Sequence, residues 1–257
     1  MPRLVGRLFA LSVAFVFALG APARANAVAV QPTKVFLTEH KPSDTFVLEN
    51  RGTETLRVQV SSAAWDEGPK GEILTPTTEL VFFPVLLTIP PHEKKTVRVG
   101  IANPAPTQTE RAYRVFFGQL PSLQSQLGAQ GVGIEMLQRV GVAIYYDPVK
   151  PVSKPELAVR TLKDGILTLA AGNTGNAHYV FSDVAIQGLD EHKGSVLAKQ
   201  STEGGVVFAN HEVLVRFALD PRECRALHDV TATMHVPNAA PVKQTFSIPA
   251  GSSCPRA

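Results

Sequence analysis

Cysteine is scarce in this chain of 257 residues: Cys224 and Cys254 are the whole complement. They lack the paired-ligand spacing of a zinc site. Seven histidines are scattered (His40, His92, His178, His192, His211, His228 and His235), and none forms a His-x-His or His-x-x-x-His pair. The sequence contains no nucleophile elbow, no phosphate-binding glycine loop and no visible Ser-His-Asp set. No catalytic residue, metal or cofactor is expected on these grounds. Long apolar runs are almost absent too. The one exception is "LFALSVAFVFALGA" (Leu8 to Ala21), which follows Arg3 and Arg7 and precedes Ala23-Arg24-Ala25. A basic start, a short apolar stretch and a small-x-small site make a secretory signal peptide, too short for a comfortable membrane span. Cleavage is expected after Ala25, and no later segment is expected to enter a bilayer.

Excess charge of one sign is missing as well. Arg3, Arg7 and Arg24 leave with the signal, so Lys+Arg falls to 22, equal to Asp+Glu at 22. The basic pI of the full chain therefore belongs to the signal, and nucleic acid is not indicated as a partner. Export bears on the cysteines. They form either one disulfide, worth about 3–4 kcal/mol in the chain-entropy account, or two free thiols. An oxidising compartment favours the disulfide.

Helical periodicity is also lacking, and strand signals recur at short spacing. "AVAVQPTKVFLT" (Ala27 to Thr38) opens the series. "DTFVLEN" places Phe46 and Leu48 on one face, and "TLRVQVSSAAW" does so for Leu56, Val58 and Val60. "KKTVRVGIA" aligns Val97 with Val99, and "ERAYRVFFGQLP" (Glu110 to Pro121) aligns Tyr113, Val115 and Phe117. About seven strands are expected between Val28 and Tyr146. Such strands with Gly/Pro turns argue for an all-β, immunoglobulin-like sandwich. "DPVKPVSKPE" (Asp147 to Glu156) reads as a proline-rich linker. Further strand patterns follow it up to "VKQTFSIP" (Val242 to Pro249). The expected organisation is a signal at 1–25, one sandwich domain at 26–147 and a second at 148–257.

One run is too apolar for a single core. "VGIEMLQRVGVAIYYDP" begins at Val132, just after a loop of Gln, Ser and Gly, and carries apolar side chains on both faces up to Tyr146. Val132, Ile134 and Met136 alternate at the period of a strand.

Taken in order, "VQPTKVFL", "FVLENRG", "KKTVRV", "RAYRVFFGQLP", "RVGVAIYYDP" and, further on, "GNTGNAHYV" (Gly172 to Val180) resemble the PapD-like periplasmic chaperones of the chaperone–usher pilus pathway. The resemblance implies two consecutive immunoglobulin-like sandwiches in an L or boomerang. It implies a periplasmic, non-enzymatic protein that binds and caps pilus subunits, then delivers them to an outer-membrane usher. Its seventh strand would complete the subunit's unfinished sandwich. Val132, Ile134 and Met136 are the donor residues in that account. The family also holds the subunit's C-terminal carboxylate with two basic residues. Lys34 matches the first, where better-known members have Arg. The second position falls on Ala143, so Arg139, four residues earlier, is the substitute candidate. These departures suggest a branch apart from the better-known members. An exposed apolar strand also makes self-association of the free protein an expectation. The rival reading is an exported two-domain immunoglobulin-like binding or adhesion protein that donates no strand.

Overall fold

Alternation along the strands decides which side chains meet. Phe46 and Leu48, Val97 and Val99, and Tyr113, Val115 and Phe117 are all buried in one apolar cluster. The computed structural model describes residues 28–68, 71–121, 136–248 and 252–255. Two sheets face each other across that cluster. The first has the order β1-β3-β8-β6, from β1 (Val28–Gln31), β3 (Ser43–Asn50), β8 (Lys94–Ile101) and β6 (Leu80–Phe83). The second has the order β2-β10-β9-β4-β5, from β2 (Lys34–Leu37), β10 (Arg139–Tyr146), β9 (Arg111–Leu120), β4 (Leu56–Gly68) and β5 (Gly71–Pro76). A short β7 (Leu86–Ile89) also pairs with β4.

Ten strands form where seven were expected, and two of the additional ones have local causes. The stretch read as one opening strand is two: the chain leaves the first sheet at Pro32 and joins the second at Lys34. Proline has no N–H to give to a ladder, so a break there is where pairing can change partner. The segment around Gly71 and Pro76 adds a strand by folding back on the end of β4 as an exposed hairpin arm.

The second sandwich repeats the scheme. One layer pairs β11 (Pro155–Lys163), β12 (Ile166–Asn173) and β17 (Glu212–Ala218). The other has the order β15-β14-β18-β19, from β14 (Asp183–Leu189), β15 (Ser195–Ser201), β18 (Asp229–His235) and β19 (Val242–Ser247). A small ribbon joins β13 (Tyr179–Phe181) to β16 (Gly205–Val207). Leu167, Leu169, Phe181, Ile186, Val230 and Met234 lie in its core.

A buried asparagine closes a strand end in each sandwich. The Asn50 amide donates to the Glu54 and Ile89 carbonyls, and its oxygen accepts from the Gly52 N–H. Asn173 repeats this, donating to the Ala177 and Val207 carbonyls and accepting from the Gly175 and Lys154 N–H groups. Gly175 has no substitute there, because a Cβ would lie 2.1 Å from the Val152 carbonyl oxygen. A sequence reading without helices misses one short helix, α1 (Pro221–Ala226), which Asp220 caps with Glu223 in a capping box. Cys224 on α1 forms a disulfide with Cys254, their Cα atoms 5.7 Å apart. The bond ties the C-terminal segment to the second core.

Two stability outcomes follow. Asn173→Ala strands two buried carbonyls and two N–H groups, and should cost about 2–4 kcal/mol in urea unfolding. Replacing both cysteines by serine should cost about 3–4 kcal/mol, and dithiothreitol should lower the wild-type urea midpoint but leave that of the serine variant unchanged.

Candidate functional site

β10 has different neighbours along its length. Its whole run pairs antiparallel with β9, from Arg139↔Gly118 to Tyr146↔Arg111. On the other side β2 pairs with it in parallel, but only from Ala143↔Lys34 to Tyr146↔Leu37. Among the described residues, Arg139 to Val142 therefore have a ladder on one side only. This is a consequence of the chain changing sheets at Pro32. The half-edge is short, but it is unpaired main chain beside an apolar core.

The faces of β10 are cleanly divided. Val142, Ile144 and Tyr146 fill the first core, and Val140 packs against it from the rim. Ala143 and Tyr145 point the other way, into a separate cluster with Trp65 and Phe208. Val132, Ile134 and Met136 share the even parity of the core-facing residues. Val132 and Ile134 lie outside the described residues. The strand was expected to run from Val132, yet among the described residues the ladder begins at Arg139, and Met136, which precedes it, is 83 % exposed.

The basic residues are arranged across the sheet. Lys34, Ala143 and Arg114 occupy one row, because Ala143 pairs with Lys34 on one side and Arg114 on the other. Ala143, between the two cations, is buried among Trp65, Tyr145 and Phe208. Lys34 Nζ lies 5.7 Å from the centre of the Phe36 ring, and among the described residues no carboxylate pairs with it. Lys34 also lines a cleft of about 390 Å³ with Ser153, Pro155, Tyr179, Val236 and Asn238, between the two sandwiches. The Arg114 guanidinium rests 3.6 Å over Trp65, while its Nε donates to Glu72. Arg139 is elsewhere. It lies four residues up β10, about 13 Å along a strand, and its guanidinium stacks 3.8 Å over Phe116. Arg114 escaped the sequence reading because its place beside Ala143 is set by strand register, which no local pattern encodes.

The junction between the sandwiches is aromatic and hydrogen-bonded. Trp65 meets Phe208 edge-on at 4.8 Å, and the His178 ring stacks on Tyr145 at 3.8 Å. Burial, with help from the nearby Glu110 carboxylate, pushes the Tyr145 phenol up to about 12. Asn176 donates its amide to the Gln108 and Lys150 carbonyls. The Glu110 carboxylate faces His178 Nδ1 at 2.8 Å and accepts from the His178 backbone N–H. These contacts fix the cleft's two walls relative to the edge of β10.

Residues 27–151 match the family model described as the pili and flagellar-assembly chaperone, PapD N-terminal domain. No curated protein matches the chain. Solved structures share its fold across most of its length. A chain of the complex of Salmonella enterica SafA pilin with the SafB chaperone aligns at TM-score 0.57 and 11% identity, covering 88% of this chain and 98% of that one. A chain of the CsuC–CsuE chaperone–tip adhesion subunit complex, from the archaic chaperone–usher Csu pili of Acinetobacter baumannii, aligns at TM-score 0.55 and 15% identity, covering 86% and 98%. The E. coli chaperone DraB aligns at TM-score 0.55 and 13% identity, covering 88% and 100%. With the paired sandwiches and the half-open β10 already in place, residues 27–151 are identified as a PapD-like N-terminal domain of the pili and flagellar-assembly chaperones.

Proposed function

We propose that this protein is a periplasmic chaperone that captures pilus subunits by lending them the edge of β10, and passes them to an outer-membrane usher. The observation that carries this reading is the half-paired β10. Its C-terminal half is enclosed by β2 and β9, while its N-terminal half, among the described residues, is paired on one side only.

A subunit strand laid along that edge gains main-chain hydrogen bonds. The side chains of Val132, Ile134 and Met136, extended in register with Val140, then enter the subunit's own groove. Burying three such side chains contributes roughly 5–8 kcal/mol gross, before the cost of ordering. Met136 adapts to differing pockets because its side chain is unbranched.

The subunit's C-terminal carboxylate fits the row Lys34–Ala143–Arg114. Leaving water costs a carboxylate heavily unless charged donors replace its hydration. Lys34 supplies an ammonium on one side of Ala143, and Arg114 a guanidinium on the other. Trp65 lies under Arg114 and Phe36 under Lys34, and Lys34 faces the cleft. Arg114 thus takes the role first considered for Arg139.

Capture by co-expression with subunits of the same pathway, read by pull-down and calorimetry, tests each part. Ile134→Asp should abolish capture while circular dichroism stays that of the wild type; retained capture rules out this donor strand. Lys34→Gln and Arg114→Gln should each weaken binding at least about tenfold, a loss of about 1.4 kcal/mol. Arg139→Gln should change it less than about twofold. The reverse ranking would return the second cation to Arg139.

A further inference from the structure

We propose that the wall of the second sandwich opposite Lys34 is a pocket for the last side chain of the captured chain, so that the cleft accepts an apolar C-terminal residue and rejects a charged one. This rests on the reading above in one respect: a chain terminus comes to Lys34. The selection of its side chain is a separate property, carried by Val180, Val236 and the turn that follows.

Strand alternation builds this wall. Tyr179 and Phe181 of β13 are buried in the second core, so Val180 between them faces the other way. Val180 lies directly opposite Val206 of β16, on the same face of their two-stranded ribbon. Val206 packs against the junction cluster of Trp65, Ala143, Tyr145 and Phe208. Val180 lacks such cover: it is 39% exposed and lines the cleft with Lys34. One apolar face therefore starts dry at the junction and runs out into the cleft.

A turn extends the wall. Val236 follows β18, and its carbonyl accepts from the Ala239 N–H at 3.1 Å. Pro237 and Asn238 take the two central positions, Asn238 with φ at 63°, a conformation that asparagine tolerates. All four residues of the turn line the cleft. The two hydroxyls of the lining are committed: Ser153 donates to the His178 carbonyl and Tyr179 to the Gly172 carbonyl. The Asn238 side chain is not, since it makes no hydrogen bond among the described residues.

Charge decides the occupant. Lys34 is the one charged residue of the lining, and no carboxylate pairs with it among the described residues. The volume of about 390 Å³ falls within the range of roughly 300–1,000 Å³ usual for small-ligand sites. An ammonium that faces valines suits a ligand with a carboxylate and an apolar group close together. The last residue of a chain carries both on a single carbon atom. Its carboxylate meets Lys34 in a charge-assisted contact, and its side chain lies against Val180 and Val236. The Asn238 amide is left to bond the main chain behind it. An internal aspartate or glutamate offers the carboxylate without the apolar group.

Selection follows from the same layout. A terminal leucine, valine or phenylalanine removes its side chain from water against the two valines. A terminal aspartate brings a second negative charge onto apolar surface, with no second cation in the lining to meet it. A terminal lysine loses hydration in the same way and also brings its ammonium up to Lys34, where like charges repel.

Short peptides test the pocket without engaging the donor strand. The isotope-labelled two-sandwich chain is titrated by NMR with acetyl-Gly-Thr-Phe, with its C-terminal amide and with acetyl-Gly-Thr-Asp. Acetyl-Gly-Thr-Phe should shift the backbone signals of Val180 and Asn238 along a saturating curve. The amide and the aspartate peptide should each half-saturate at a concentration at least about tenfold higher. Val180→Asn should weaken acetyl-Gly-Thr-Phe at least about threefold and leave the aspartate peptide unchanged. A preference for acid over amide without a preference for phenylalanine over aspartate overturns the pocket and leaves the carboxylate anchor standing. Equal binding of acid and amide removes the anchor at Lys34 and the pocket with it. The absence of any saturating shift at Val180 overturns the pocket too. Should Val180→Asn fail to fold, the three peptides on the wild type decide alone. Loss or retention of capture by Ile134→Asp bears on the donor strand and not on these outcomes.

Discussion

Everything about the site depends on one strand having to satisfy different neighbours along its length. β10 is held on both sides near the linker and on one side near its start. The cause lies more than a hundred residues earlier. Pro32 ends β1 in one sheet, and the chain resumes as β2 in the other, with only four residues left to pair with β10. A first strand that stayed in one sheet would either cover the whole of β10 or leave all of it bare. The switch does neither, and so anchors the strand firmly while leaving a length of it available.

That arrangement separates two kinds of adhesion. Val142, Ile144 and Tyr146 hold β10 in its own core, so its register is fixed by burial and slips at the cost of turning every side chain to the wrong face. The free half needs no such commitment. Ala143 and Tyr145, on the opposite face, commit β10 to the second sandwich through Trp65 and Phe208. One strand thus aligns the free edge, the row of cations and the cleft. A partner engaging the edge meets the cations at a distance set by strand geometry rather than by a flexible loop.

Much of this was legible in the sequence, and the gaps have physical causes. The inward faces at Phe46 and Leu48, Val97 and Val99, and Tyr113 to Phe117 follow from period-two alternation, which survives in any sandwich. Lys34 was legible because a motif carried it. The split of the first strand was marked by Pro32 but hidden by unbroken alternation on either side. The helix at Pro221 was too short to show an apolar stripe, though Asp220, Pro221 and Glu223 spell its start. Arg114 was illegible in principle. Its partnership with Lys34 across Ala143 requires two registers, one parallel and one antiparallel, between segments about 110 and 30 residues apart in the chain.

Ala143 shows how a site can move without the fold moving. A long cation there would have to share its space with Trp65, Tyr145 and Phe208, in a cluster that excludes water. Desolvation would oppose its charge. With alanine, the aromatic junction closes fully, and the positive charge is supplied from the strands on either side. Arg114 can do this because Trp65 gives its guanidinium a flat surface and Glu72 steadies one end. The two needs, a dry junction and a charged cleft, are met by neighbouring residues of one row instead of competing for a single position.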